Sequence, residues 1–220
     1  DVMRSAHVRD GVLHHDGEAL TSERVRSIIA RTLMDRSCTA RHTIVACGDQ
    51  ACDPHNHGTG PLRAGLPVVI DIFPRSDETG YYADMTRTVV KGEASSDLVD
   101  IYDAVLAAQI QALNQICAGV DGRDIHRGVS ELFDSRGFST GLQDGRMQGF
   151  FHGTGHGVGL DIHESPGVGK ASSILEPGHV VSVEPGLYYI GCGAVRIEDL
   201  VVVTETGCDN LTDYPKSLIL

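Results

Sequence analysis

Two hydrophobic periods alternate along this chain, and the changes between them mark its elements. From Ser22 onward Val25, Ile28, Ile29 and Leu33 recur at helical spacing, with Thr21 or Ser22 as the cap and Glu23 in the first turn. A second helix is predicted with Ser96 as its cap, an apolar face of Leu98, Ile101, Val105, Leu113 and Ile116, and an end at Gly119. A third covers about Asp124 to Ser135 on Val129, Leu132 and Phe133. The second and third carry no convergent polar set, so both read as covers for a core. Extended patterns fill the rest. Thr43 to Ala46 is a short strand, followed by a Gly48 to Gly60 loop that holds Pro54, His55 and His57. Val68 to Phe73 and Tyr81 to Val90 read as strands on either side of the turn-rich Pro74 to Gly80. Near the other end, His179 to Ile190 and Ala194 to Val203 read as strands joined at Gly191-Cys192-Gly193. Asp1 to Gly17 is polar, with a turn at His15-Asp16-Gly17.

Each predicted hairpin carries an acid on each arm. Asp71 interrupts the apolar run Val68 to Phe73, where an unpartnered carboxylate would be costly. A hairpin centred between Asp77 and Glu78 sets Asp71 directly opposite Asp84, about 5 Å apart at Cβ. Like charges that close need a cation between them. A hairpin centred on Gly191 likewise sets Glu184 opposite Glu198. The two layouts match although the residues differ, which predicts an internal pseudo-twofold. Between them lies Phe151 to Glu164, where His152, His156 and His163 stand among four glycines. Four facing carboxylates and an imidazole suit two divalent ions, such as manganese, cobalt, iron or zinc, with carboxylates bridging them. Such a pair would activate a water and polarise a carbonyl. His156 and His163 have an odd separation, so a regular strand would point them to opposite faces; a bulge at Gly157 or Gly159, or an irregular segment, would relieve this.

Composition narrows the field. At 220 residues, 41% hydrophobic and 22% charged, the chain is an ordinary globular one, with no apolar run near the length of a bilayer span. Its net charge of -12 argues against nucleic acid as the main partner. None of the six cysteines forms a C-x-x-C pair, and reduced thiols in a cytoplasmic protein are the expectation. Other chemistries fail by inspection. His163-Glu164 is followed by Ser165-Pro166, so there is no H-E-x-x-H. Gly153 and Gly155 do not extend to G-x-G-x-x-G, and Gly167 to Lys170 lacks the rest of a P-loop. The Asn210-Leu211-Thr212 sequon reads as a chance match.

Five stretches carry a family resemblance: Val-Val-Ile-Asp71, Tyr-Tyr-Ala-Asp84-Met-Thr-Arg-Thr, Gly-His156-Gly-Val-Gly-Leu-Asp-Ile-His163-Glu, Val-Glu184-Pro-Gly and Arg196-Ile-Glu198-Asp. From about residue 20 the chain resembles the pita-bread metallopeptidases, and more narrowly the Xaa-Pro aminopeptidase and Xaa-Pro dipeptidase (prolidase) branch. The resemblance implies an α+β fold: a curved, mostly antiparallel sheet in pseudo-twofold halves, helices outside and metals on the concave face. It implies Asp71, Asp84, His156, Glu184 and Glu198 as ligands of two divalent ions, manganese first and cobalt, zinc or iron as alternatives. Glu184 also matches the general base. His55 and His163 match histidines that contact substrate and the tetrahedral intermediate. His152 matches a substrate-side histidine, and Arg196 one that borders the substrate site and orients the carboxylates. The implied activity is cleavage of the N-terminal Xaa-Pro bond of short peptides. Prolidase and methionine aminopeptidase are the near alternatives, and a metal-free binding protein is one of another class. Peptide is the expected partner, a homodimer is compatible, and neither nucleic acid nor membrane is expected. Two departures stand out: the Asp71 to Asp84 interval is longer than usual, which extends the Pro74 to Gly80 loop, and full-length members carry a further N-terminal domain. Residues 1–220 are therefore expected to be the catalytic domain alone.

Overall fold

The computed structural model describes all residues from Asp1 to Leu220. Its three long helices are α1 (Ser22–Met34), α2 (Ser96–Gln115) and α3 (Gly122–Ser135). Polar side chains start each of them. Thr21, Ser95 and Asp121 accept hydrogen bonds from the amides of Arg24, Leu98 and Arg123. The cap of α2 is thus Ser95 and not Ser96, and the helix ends at Gln115, where Ile116 turns extended, short of Gly119. Ser95 still has extended backbone, φ -66° and ψ 154°, whereas Ser96 is already the first helical residue. No helix is long and apolar enough to cross a membrane.

The strands are antiparallel. β1 (Ile44–Cys47), β2 (Val68–Ile72) and β3 (Met85–Val89) form one sheet in that order. A short hairpin, β4 (Gly141–Gln143) and β5 (Arg146–Gln148), leads into the second half. There β6 (Gly155–Gly157), β7 (Glu164–Val168), β8 (Val180–Val183), β11 (Asp199–Val203) and β12 (Cys208–Asn210) form a five-stranded sheet ordered β7-β6-β8-β11-β12. Between them β9 (Gly186–Tyr189) pairs with β10 (Gly193–Arg196). The apolar faces of α2 and α3 pack on this half through Leu98, Ile101, Val105, Ile125, Val129 and Phe133, within a cluster of 23 buried residues. The halves are stitched along β3 and β10: Thr88 Oγ1 donates to the Arg196 carbonyl at 2.9 Å and accepts from its amide at 3.0 Å. The fold is α+β, as the resemblance implied.

Three further expectations are corrected. Asp1 to Gly17 is not merely polar but holds a helix at Val2–Ser5 and paired strands at His7–Arg9 and Val12–His15, with Glu18–Ala19 as a third. The long strand through Glu184 breaks into β8 and β9 at Glu184-Pro185, where proline has no N–H for a ladder; its return breaks at Ile197-Glu198. In the first hairpin Ser76 pairs with Tyr81 and Gly80 takes φ 79°, so the turn centres between Glu78 and Thr79. That one-residue move slides the register by two: Asp71 faces Thr86, and Asp84 lies just ahead of β3. A slide of two keeps every side chain on its face, so Asp71 and Asp84 remain on the same side as diagonal neighbours. The second hairpin has the expected register on both sides of its break, with Gly186 opposite Arg196 and Val183 opposite Asp199.

Candidate metal centre

Every residue singled out in the sequence as a site candidate lines one cavity of about 800 Å³: Asp71, Asp84, His156, Glu184 and Glu198, with His55, His152, His163 and Arg196. Asp71 comes from the middle of β2, Asp84 from the lead into β3, and His156 from β6. Glu184 and Glu198 come from the two strand breaks, where the chain leaves one sheet for another. Gly155 lets β6 approach β8 closely enough to deliver His156, since a Cβ there would lie 1.9 Å from the Ser182 carbonyl oxygen. Ser182 Oγ then accepts the His156 amide at 3.1 Å. The odd spacing of His156 and His163 is resolved by irregular backbone after β6, and the two rings meet with centroids 4.3 Å apart.

Carboxylates crowd the cavity floor. Asp84, His156 and Glu198 each offer a donor atom within 4.8 Å of the others, and His156 Nε2 lies 3.2 Å from Glu184 Oε1 and 3.7 Å from Asp84 Oδ2. Burial, then the charges of Asp71 and Glu184, push the Asp84 carboxyl up to about 8. Glu198 is raised by burial and by the same acids. For His156, burial works downward, but Glu184 and Asp84 outweigh it and hold the imidazole up at about 9. Glu184 is in turn kept low, the attraction of His156 and His152 overcoming its burial.

Three observations fit a cation to this set. Asp71 Oδ1 and Asp84 Oδ1 are buried with no hydrogen-bond partner, an expense that a cation would remove. His156 Nδ1 lies 3.0 Å from the Gly157 carbonyl, to which its N–H donates. That turns Nε2 among carboxylate oxygens, where a cation would take the place of its proton, the orientation a metal-ligating histidine adopts. The donors are hard oxygens with one imidazole, the chemistry of a divalent ion.

Around this cluster lies a polar frame in which Arg196 and His152 were expected from the sequence, while Thr86, Tyr188, Arg87, Asp199, His126 and Thr154 were not. Thr86 Oγ1 donates to Glu198 Oε2 at 2.7 Å and accepts from Arg196 Nε at 3.2 Å. Buried Arg196 has all three guanidinium nitrogens engaged, Nη2 donating to Asp71 Oδ2 at 2.7 Å and Nη1 to the Tyr188 hydroxyl at 3.0 Å. Tyr188 Oη in turn donates to His152 Nε2 at 2.8 Å, and His152 Nδ1 donates to the Gly153 carbonyl. Burial lowers the His152 pKa, which matches this neutral tautomer. Arg87 pairs with buried Asp199 at 2.8 Å, donates to the carbonyls of Thr86 and Glu198, and so fixes the backbone at a site acid. Asn210, the sequon residue, donates its amide to Asp199. His126 of α3 reaches Thr154 Oγ1 at 3.0 Å, and the Thr154 carbonyl accepts the Glu184 amide at 2.7 Å. One signal for Thr86 was present: Asp84, Thr86 and Thr88 alternate, as residues sharing one strand face do.

Comparison with known proteins agrees with this geometry. The model of metallopeptidase family M24 matches residues 1–205. A peptidase of Bacillus subtilis, YqhT, is 38% identical over 179 residues, 80% of this chain and 48% of its own. The structure of an Xaa-Pro dipeptidase from Bacillus anthracis superposes with a TM-score of 0.83 at 36% identity, covering 92% of this chain and 56% of that one. An X-Pro aminopeptidase from Thermotoga maritima gives 0.82 at 32% identity, over 92% and 55%. The chain thus spans about half the length of the relatives it matches.

Proposed function

The chain belongs to metallopeptidase family M24, and from that premise we propose that residues 1–220 are a catalytic domain that hydrolyses the N-terminal Xaa-Pro bond of short peptides. The observation that carries this reading is the convergence of Asp71, Asp84, His156, Glu184 and Glu198 in one cavity beside His55, His152 and His163. The five would hold two divalent ions, manganese first and cobalt, zinc or iron as alternatives. When bound, such ions lower the pKa of water and polarise a carbonyl as Lewis acids.

The chain's own groups divide the remaining work. Glu184, an ionised carboxylate open to the cavity, takes the proton of the attacking water and passes it to the leaving proline nitrogen. His163, whose pKa burial and then His156 lower, offers a ring N–H to the oxygen that gains charge, with His55 lining the same cavity. His152, locked in one tautomer by Tyr188 and Gly153, borders the substrate. Arg196 holds Asp71 in place. All six cysteines are free thiols, which supports a cytoplasmic setting.

Proline as the leaving residue offers no N–H and fixes φ near -65°, so a site shaped for it excludes other poses. With Ala-Pro, Ala-Pro-Gly and Ala-Ala-Gly at equal concentration and manganese added, a proline peptide is expected to be cleaved about tenfold or more faster than Ala-Ala-Gly. Cleavage of Ala-Pro-Gly supports the aminopeptidase. Cleavage of Ala-Pro alone supports the dipeptidase, a reading favoured by the Bacillus anthracis neighbour. Release of methionine from Met-Ala-Ser with both proline peptides intact overturns the assignment.

A further inference from the structure

The site cavity has a neighbour. Asp53, Pro54 and Phe151 in its wall also line a second cavity of about 620 Å³, so the two spaces lie side by side. The second is bounded by Arg146 and Met147, both on the β4–β5 hairpin. This hairpin is held firmly. Its turn, Asp144-Gly145, has φ of 49° and 77°, the type I′ form that matches strand twist. At its base Gln148 is buried and accepts the Ile190 amide at 2.9 Å, while the Gly149 amide donates to the Tyr188 carbonyl at 2.9 Å. Tyr188 is the residue whose hydroxyl joins Arg196 to His152. The hairpin is therefore rooted in the frame of the site.

Arg146 makes no ion pair. Asp49 and Asp53 line the same cavity, yet each already accepts a backbone amide, from Gly191 at 2.8 Å and from His55 at 3.1 Å, and neither bridges to Arg146. Arg146 is exposed, and its charge is the weakest of the influences on the Cys52 thiol, which burial and then Asp49 drive up to about 12.

The first cavity thus holds the site carboxylates, and the second a guanidinium that pairs with neither Asp49 nor Asp53. A peptide whose N-terminal bond lies at the site carboxylates would carry its C-terminal carboxylate away from them, toward the second cavity. We propose that Arg146 receives the C-terminal carboxylate of peptides of three or more residues, whose chain passes Phe151 and Pro54 from one cavity into the next. Guanidinium suits this task because its planar fork matches a carboxylate. Each extended residue adds roughly 3.3–3.6 Å. On this proposal the carboxylate of Xaa-Pro belongs to the first cavity and that of a longer substrate to the hairpin. This rests on the Xaa-Pro reading above and narrows it to the aminopeptidase form.

The test compares free acids with amides. For the manganese-loaded protein, kcat/KM is measured on Ala-Pro, Ala-Pro-Gly-Gly and Ala-Pro-Gly-Gly-amide, with wild type, Arg146→Ala and Arg146→Lys. Calorimetry, which needs no turnover, gives Kd for the product-like Pro-Gly-Gly and its amide. Wild type should prefer the free acid over the amide about fivefold or more, in KM and in Kd. Arg146→Ala should erase that preference with kcat and Ala-Pro cleavage unchanged, and Arg146→Lys should restore part of it. The proposal is overturned if acid and amide are treated alike by wild type, or if Arg146→Ala weakens both equally. A preference in Kd without hydrolysis of any proline peptide would instead sink the activity reading and leave the carboxylate site standing.

Discussion

His163 is the residue where binding and chemistry separate most cleanly. Its ring touches His156 but makes no contact with the site carboxylates that would mark it as part of the donor cluster. His163→Ala is expected to lower kcat by on the order of 10²–10³, the scale for losing one donor to an oxyanion, with metal content near wild type. Metal analysis of the purified variant checks this, and loss of metal would make His163 a ligand. The site acids were legible in the chain for a physical reason: a carboxylate in an apolar run is too expensive to be idle. Tyr188, Arg87 and Asp199 were not, because each has a partner more than 30 residues away, His152 for Tyr188 and Arg87 and Asp199 for one another, and spacing along one strand says nothing about these.

At the level of elements, what spacing conveyed was parity, and what it missed was the turn. Moving the first turn by one residue kept both acids on one face, so the pairing of Asp71 with Asp84 survived a wrong register. The turn expected at Asp16-Gly17 is there, with φ of 52° and 78°, but Asp10-Gly11, with φ of 50° and 73°, marks a second hairpin turn that a reading by charge passed over as polar. Close approach of strands is invisible to pattern but testable by substitution. Gly155→Ala puts a methyl 1.9 Å from the Ser182 oxygen and must part β6 from β8. Destabilisation of about 3 kcal/mol or more is expected from the urea midpoint, with weakened metal binding through His156. Gly167→Ala, which meets open space, should change stability by no more than about 0.5 kcal/mol. Equal effects at the two positions would show that β6 has room to spare.

For the whole molecule, four converging carboxylates are a burden that cations turn into an asset. Ligand present at a hundred times its Kd stabilises a native state by about 2.7 kcal/mol. For a chain of this size that corresponds to roughly 5–10 °C in Tm. Chelation should lower the melting temperature by about that much, and manganese should restore it; an unchanged Tm would mean that the acids do not bind a structural charge. The fold class was readable because helix and strand periods alternate in blocks, whereas the joining of the halves was not, since it runs through Thr88 and Arg196, 108 positions apart. The Asp71–Arg196 ion pair spans 125 positions and the Thr86–Glu198 bond 112. Viewed as a matter of timing, neither half owns a complete set of donors, so an ion cannot be captured until the slowest, most distant contacts have closed. Once captured, it acts as a latch: opening the halves requires giving up the ion, and the protein's endurance becomes a question of escape rate more than of equilibrium.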